Sequence, residues 1–184
     1  MRIGVILAGG QSRRMGADKA TLKLNGIRLV DHVYGRLRNQ VDLVVISGGS
    51  DYDLGIENIA DEPGGISGPA AGVLATSNWL GRVHPDVTGF FTAPVDGPFI
   101  PNDLVERLSS SGSSSVAEVD NYLHPTFAYW MCERLTKIRD TFLSETPHSL
   151  KRLAELVEAK PVEWDDANAF KNINTLDDLG NIND

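Results

Sequence analysis

Residues 2–10, RIGVILAGG, carry the strongest fold signal in this chain of 184 residues. The run is short and apolar, and we predict a buried strand over Arg2–Ala8. Two glycines follow at once, so the chain is expected to leave the sheet there in a loop. The chain is therefore expected to open with a buried strand and a glycine-rich loop.

Alternating helix and strand signals follow this first strand up to about residue 110. Helices are predicted over 28–39, 70–80 and 101–108, and strands over 43–46, 56–60 and 88–95. This alternation predicts a parallel sheet with helices on its faces. Right-handed crossovers place the loops that follow the strands at one edge, where ligands of such sheets bind.

The second part of the chain, residues 111–184, is less regular. Strands are predicted over 116–119, 126–130 and 161–164, and helices over 132–142, 150–159 and 175–182. The length suits one domain. The predicted fold class is α/β: a three-layer α/β/α arrangement with a mostly parallel, Rossmann-like sheet and a smaller second half.

The composition is that of an ordinary globular protein, with 41% hydrophobic and 23% charged residues. A net charge of -8 argues against nucleic-acid or membrane-surface partners, because both attract basic faces. One cysteine excludes an intrachain disulfide, and no apolar run approaches the ~20 residues of a membrane span. We therefore expect a cytoplasmic protein.

The charge is unevenly distributed along the chain. Residues 1–39 contain eight basic and two acidic side chains, a net charge of +6, whereas the other 145 residues carry -14. A basic segment on an acidic protein indicates a local site for a small anion.

The loop after the first strand is the first candidate site. Gly9 and Gly10 allow backbone N–H groups to approach a ligand, and Arg13, Arg14 and Lys19 follow within ten residues. Such N–H groups and cations together are typical of a phosphate cradle. The spacing matches neither a Walker loop nor a dinucleotide fingerprint. The alternative is a glycine turn with solvated arginines.

Two further loops carry candidate residues. Asp96 stands where the apolar run over 88–95 ends, and a carboxylate opposite a phosphate loop is suited to Mg2+. The alternative is a turn with a capping aspartate. Asp61 begins a glycine-rich loop and could accept hydrogen bonds from hydroxyl groups; the alternative is a loop without a binding role. The four histidines lack metal-ligand spacing and receive no role.

The motifs of the chain, taken together, resemble those of the molybdenum cofactor guanylyltransferase family. The first of them, LAGGQSRRMGADK at 7–19, resembles the signature of the wider nucleotidyltransferase superfamily. Four others narrow the resemblance: DEPGGISGPAAG at 61–72, VDGPF at 95–99, HPTF at 124–127 and FKNINTLDDL at 170–179. The resemblance covers essentially the whole chain.

This resemblance implies an enzyme that transfers GMP from GTP to the terminal phosphate of molybdenum cofactor (molybdopterin). The products are the guanine dinucleotide cofactor and pyrophosphate, and the metal cofactor is Mg2+. Residues 1–110 would form a nucleotide-binding half and residues 111–184 an acceptor-binding half of one domain, 1–184. The implied partners are these two small-molecule substrates, with transient contacts to cofactor-synthesis proteins and to the molybdoenzymes that receive the product.

The resemblance also implies roles for individual residues, at the positions where the chain matches the family's motifs. The nucleotide-binding residues are Leu7, Ala8, Gly9, Gly10, Arg13, Lys19, Asp61 and Asp96. Arg14, Lys19 and Asp96 would be catalytic, and Asp96 would hold the Mg2+. Asn172 and Asn174 match positions near the acceptor.

The chain departs from the family pattern at several places near these residues. The family often has Asp-Thr-Pro where this chain has Asp96-Gly97-Pro98, and an asparagine near the position of Ser47.

Two alternative functions stay open. One is a related nucleotidyltransferase that uses CTP or a sugar-phosphate acceptor, and the other is a carrier of the cofactor without catalysis.

Overall fold

The computed structural model describes residues 1–9, 18–48, 50–62 and 65–173, and its first element is the expected buried strand. Strand β1 spans Ile3–Leu7, and all five of its residues are buried. It pairs in parallel with β4 (Leu43–Ser47) on one side and with β6 (Gly89–Pro94) on the other. A central parallel strand is covered on both faces, which explains why its apolar run is unbroken.

One seven-stranded sheet runs through the described residues. Its other strands are β5 (Asn58–Ile59), β7 (Ser115–Val119), β8 (Tyr122–Met131) and β9 (Lys160–Glu163). The order across the sheet is β5-β4-β1-β6-β8-β7-β9. β8 is antiparallel to both of its neighbours, and the other adjacent pairs are parallel. The sheet is therefore mixed but mostly parallel.

Helices cover both faces of this sheet. One face carries α1 (Leu29–Leu37) and α3 (Leu104–Ser109), and the other carries α2 (Pro69–Val83), α4 (Cys132–Ser144) and α5 (Leu150–Leu156). Successive strand residues point to opposite faces, so Ile6 joins the core with α1 while Val5 joins the core with α2. This arrangement confirms the predicted three-layer α/β/α fold class.

Predicted and observed elements differ mainly at their ends. The helix predicted over 150–159 ends at Leu156, because Glu158 has a left-handed backbone with φ of 55°. β8 begins four residues earlier than predicted, at Tyr122. The helix predicted over 175–182 lies outside the described residues.

A short hairpin was not predicted from the sequence. Strands β2 (Lys23–Leu24) and β3 (Ile27–Arg28) pair antiparallel around Asn25 and Gly26, which have φ of 51° and 81°. Asn-Gly is the preferred pair for such a turn, so the signal was present in the sequence. Leu24 in this hairpin packs with Leu29 and Ile173, which anchors residue 173 close to the loop after β6.

None of the helices in the described ranges combines the length and apolar character needed to cross a membrane.

The hydroxyl of Ser47 has an unusual environment at the end of β4. Ser47 is 2% exposed, and its Oγ finds no hydrogen-bond partner in the part of the chain that the structure describes. A Cβ atom built on Gly72 would lie 2.6 Å from this oxygen, so α2 packs directly against it. The Ser47 side chain is therefore packed against α2, and its hydroxyl is not presented to solvent.

Ser47→Ala is expected to raise the free energy of unfolding by about 1 kcal/mol, because it removes a buried hydroxyl that is hydrated only in the unfolded chain. Urea denaturation would measure the change. Ser115→Ala is the matched control: Ser115 is fully buried, but its Oγ donates to the Leu108 carbonyl at 2.7 Å. That variant should lose stability by a similar amount. A loss in both variants would contradict the assignment of an unpaired hydroxyl at Ser47.

Candidate active site

The carboxyl ends of the parallel strands meet at one edge of the sheet. Leu7 at the end of β1 pairs with Ser47 of β4 and with Pro94 of β6, so these ends are level. Asp96 follows two residues after Pro94. The Nζ of Lys19 lies 3.2 Å from Oδ2 of Asp96, with the two side chains 21% and 19% exposed. An ion pair of this exposure is shielded yet still accessible to a ligand.

Asp18 fixes the position of Lys19. Its Oδ1 accepts a hydrogen bond from the Ala20 backbone N–H at 3.1 Å and so caps the 3-10 turn Lys19–Thr21. Its Oδ2 accepts a hydrogen bond from the Tyr52 hydroxyl at 2.9 Å. An aspartate directly before a helical turn is a recognised cap signal, so the capping role of Asp18 has a local signal in the sequence.

The loop that carries Asp96 is held from the C-terminal side of the chain. The Asp96 carbonyl accepts a hydrogen bond from the Ile173 N–H at 2.7 Å. A Cβ atom built on Gly97 would lie 3.5 Å from Oδ1 of Asn172. Three residues from different parts of the sequence, Lys19, Asp96 and Asn172, are thus neighbours.

Gly97, the departure from the family pattern, has a steric explanation. A Cβ atom on Gly97 would lie 2.6 Å from Cζ of Phe127 and 3.1 Å from Cγ of Pro94. Phe127 is fully buried, so its ring has little room to move. The Phe127 ring therefore occupies the space into which a side chain at position 97 would project.

Gly97→Ala is expected to reduce the free energy of unfolding by about 1–3 kcal/mol through overpacking against Phe127. Adding Phe127→Leu removes the crowding ring atom, and the double variant should recover part of the loss. Urea denaturation of the four proteins in this cycle gives the coupling energy, which should exceed about 0.5 kcal/mol. Strictly additive effects would show that the two residues do not compete for one space.

The backbones of Leu7 and Ala8 form hydrogen bonds to neighbouring segments at this edge of the sheet. Their side chains are buried on opposite faces of the sheet. The Leu7 carbonyl accepts from the Val95 N–H at 3.1 Å, and the Ala8 N–H donates to the Ser47 carbonyl at 2.9 Å. Contact of Leu7 and Ala8 with a nucleotide stays a prediction from the sequence.

Gly9 and Gly48 approach each other closely at this edge. Gly48 has φ of 79°, and a Cβ atom on it would lie 2.5 Å from Cα of Gly9. Glycine at position 48 thus gives the chain room to leave β1 at Gly9.

Asp61 lies apart from the Lys19–Asp96 pair. It follows β5, and three strand spacings separate β5 from β6, a distance of about 14 Å. Together with Asn78 and Trp79 of α2 it lines an open cleft of about 680 Å³. Partial burial raises the pKa of the Asp61 carboxyl. The structure thus brings Lys19, Asp96 and Asn172 together but not Asp61.

Four other predicted site residues lie outside the described residues: Gly10, Arg13, Arg14 and Asn174. Their roles stay predictions from the sequence.

No group of three or more histidine, cysteine, aspartate or glutamate side chains suited to a metal ion occurs in the described ranges. Asp96 is a single carboxylate paired with a lysine. Mg2+ is commonly bound through one or two carboxylates together with substrate phosphates. The donor set around Asp96 therefore fits a metal that arrives with a nucleotide, and it does not resemble a closed protein cage.

The MobA-like NTP transferase domain family matches residues 4–160. A molybdenum cofactor guanylyltransferase of Cereibacter sphaeroides is 37% identical, covering 96% of this chain and 92% of the relative. One from Mesorhizobium japonicum is 35% identical, covering 96% and 91%.

Two solved structures share the fold at lower sequence identity. Molybdopterin-guanine dinucleotide biosynthesis protein A from Archaeoglobus fulgidus is 23% identical with a TM-score of 0.72, covering 98% of this chain and 96% of that one. A Mycobacterium tuberculosis H37Rv protein in complex with manganese is 16% identical with a TM-score of 0.68, covering 98% and 96%.

The match to the family spans most of the chain, and the two relatives are nearly collinear with it. These matches show that the chain is a nucleotidyltransferase enzyme. The chain belongs to the molybdenum cofactor guanylyltransferase family within the MobA-like NTP transferases.

Proposed function

We propose that this enzyme transfers GMP from GTP to the terminal phosphate of molybdenum cofactor and releases pyrophosphate. The contact of Lys19 with Asp96 at 3.2 Å, beside Asn172, carries the proposal. This arrangement brings together the Lys19 cation, the Asp96 carboxylate, which is suited to a metal ion, and Asn172 of the proposed acceptor-binding half at one edge of the sheet. The names of the curated relatives support the choice of substrates.

Charge is the main obstacle to this reaction. A phosphate monoester has its second pKa near 6, so the acceptor is mostly a dianion at neutral pH and needs no general base. It must approach a triphosphate that is also negative. Lys19 offers one cation at this place, and Arg13 and Arg14 belong by sequence to the segment that joins Gly9 to Asp18. These three side chains would offset charge on the α-phosphate and on the leaving pyrophosphate.

Asp96 would hold a divalent metal ion, for which we propose Mg2+. The manganese complex of the structural relative supports divalent metal use in this fold. When bound, the ion would neutralise phosphate charge. Asp96 would release its ion pair with Lys19 as the metal arrives, so that the lysine turns toward phosphate oxygens.

The bond changes balance without a redox partner. An oxygen of the acceptor phosphate forms a bond to the α-phosphorus of GTP, while the bond from that phosphorus to the bridging oxygen breaks. Pyrophosphate leaves with the electron pair. The enzyme's contribution is alignment and positive charge, as in other phosphoryl-group chemistry.

Asp61 has a separate place in this proposal. It lies about three strand spacings from Asp96, a span comparable to an extended nucleoside triphosphate. With the phosphates near Asp96, the nucleoside would extend across β1 and β4 toward β5. The Asp61 carboxylate would then accept hydrogen bonds from the nucleoside end.

Pyrophosphate release is the direct test of the proposed reaction. The purified protein is incubated with GTP, Mg2+ and molybdopterin, with CTP, ATP and UTP as parallel arms. Rapid release with GTP alone among the nucleotides is the expected result. Preference for CTP would replace guanylyl with cytidylyl transfer. GTP binding without release would favour the carrier reading.

The protein partners are a separate proposal. Cofactor-synthesis proteins and acceptor molybdoenzymes would meet the enzyme transiently, and its expected site of action is the cytoplasm.

A further inference from the structure

An aromatic row extends outward from the Asp96 loop. Phe127 lies against Gly97, and its ring centroid is 5.1 Å from that of Phe170. Phe170 is next to His124, at 5.4 Å, and His124 is next to Tyr122, at 5.2 Å. The inner rings are buried, whereas Tyr122 is 69% exposed. The row therefore connects the candidate active site to an aromatic ring at the surface.

An irregularity in the pairing of β8 with β7 accounts for the position of these rings. Val116 of β7 pairs with Ala128, but the next residue, Ala117, pairs with His124. Residues 125–127 are thus extra on β8, and such a bulge re-aims side chains. The irregularity coincides with the HPTF motif, whose histidine the sequence analysis left without a role.

The open groove along this row has polar groups at its rim. It has a volume of about 430 Å³, and its lining includes Asp120, Tyr122, His124, Asn168, Phe170 and Lys171. Within the described residues, the Asp120 carboxylate and the Asn168 side-chain amide take part in no hydrogen bond or ion pair. Both side chains are exposed. The groove thus combines aromatic faces with hydrogen-bonding groups.

We infer that this groove binds the pterin ring system of the acceptor, whose planar pyrimidinone ring stacks on Tyr122, while His124, at 74° to the Tyr122 ring, meets its edge. A pterin presents neighbouring N–H donors on its 2-amino-4-oxo edge, and a carboxylate such as Asp120 accepts from both. Flat heteroaromatic rings stack well on exposed aromatic side chains. This inference rests on the proposed function, since it names the acceptor class of that same site.

The position of the groove agrees with the reaction geometry. Lys171 lines the groove, and the next residue is Asn172, beside Gly97. A molecule whose ring lies on Tyr122 therefore extends along residues 170–172 toward Asp96. Burial lowers the pKa of His124, so its ring is neutral at pH 7 and adds no charge beside a neutral pterin.

Tyr122→Ala tests the inference by steady-state pyrophosphate release. The KM for molybdopterin should rise roughly 5–100-fold, the scale of one lost stacking contact. The KM for GTP and the turnover number at saturating acceptor should stay near wild type. Tyr122→Phe keeps the ring and should behave like wild type. Leu143→Ala removes another partly exposed apolar side chain, on α4, and is the control for surface change.

A binding measurement separates this inference from the proposed function. 6-Hydroxymethylpterin alone is titrated into the wild-type protein and the Tyr122→Ala variant and followed by its own fluorescence. Binding that weakens in the variant supports the groove even if no nucleotide reacts. Equal binding to both proteins, no binding to wild type, or an unchanged acceptor KM in the variant would overturn the inference. No pyrophosphate release by wild type would instead count against the proposed function.

Discussion

Asp96→Asn is expected to lower the turnover number about 100-fold or more, the scale for removing one preorganised electrostatic group. The substitution keeps the size of the side chain and its place beside Lys19, but it removes the negative charge. A neutral amide would bind a divalent ion poorly, so the phosphates would keep their charge. Pyrophosphate release at saturating GTP and Mg2+ measures the effect. Raising the Mg2+ concentration should restore part of the activity.

Loss of fold is not expected to explain this result. The Lys19–Asp96 pair is partly exposed, and pairs of this kind contribute about 0–1 kcal/mol to stability. Thermal unfolding should therefore be close to wild type. Glu133→Gln is the matched control, because Glu133 forms an exposed ion pair with Lys137 on α4. Near-normal turnover in Asp96→Asn would remove the metal-binding assignment of Asp96.

The core of the candidate site could be predicted because it follows from strand ends. Loops after parallel strands share one edge, so the glycine loop after β1 and the aspartate after β6 were expected to be neighbours. The contact between Lys19 and Asp96 agrees with that expectation. The same rule places Asp61 at this edge, because it follows β5, but the distance along the edge depends on the order of the strands, which is not written in the sequence. That order places β5 three strands away from β6.

Long-range packing explains what the sequence analysis missed. Phe127 and Phe170 are in ring contact although 43 positions separate them in the sequence, and Gly97 meets Phe127 from a third segment. A spacing pattern cannot reveal such contacts, which depend on the bulge in β8. The sequence around His124 predicts no metal site, and only the fold shows that its ring lies in the aromatic row. The hairpin around Asn25 and Gly26, by contrast, has a local signal, because Asn-Gly is the preferred pair for such a turn.

Lys19→Ala is expected to weaken GTP binding about 10–100-fold, because a hydrogen bond between charged groups contributes about 1.5–3 kcal/mol. Isothermal titration with GTP and Mg2+ measures the dissociation constant. Lys19→Arg keeps the charge and should lose less. Lys137→Ala is the control, since Lys137 is exposed on α4 and pairs with Glu133.

Salt dependence distinguishes a phosphate contact from a packing role of Lys19. If the ammonium group faces the triphosphate, wild-type affinity should fall when ionic strength is raised from roughly 0.05 to 0.5 M, because salt screens the attraction. The Lys19→Ala variant should respond less, since one of the attracting charges is gone. The difference between the two slopes isolates the contribution of Lys19 from that of Arg13 and Arg14. Equal affinities and equal slopes in both proteins would exclude Lys19 from the phosphate site, and the Lys19–Asp96 pair would then be a purely structural contact.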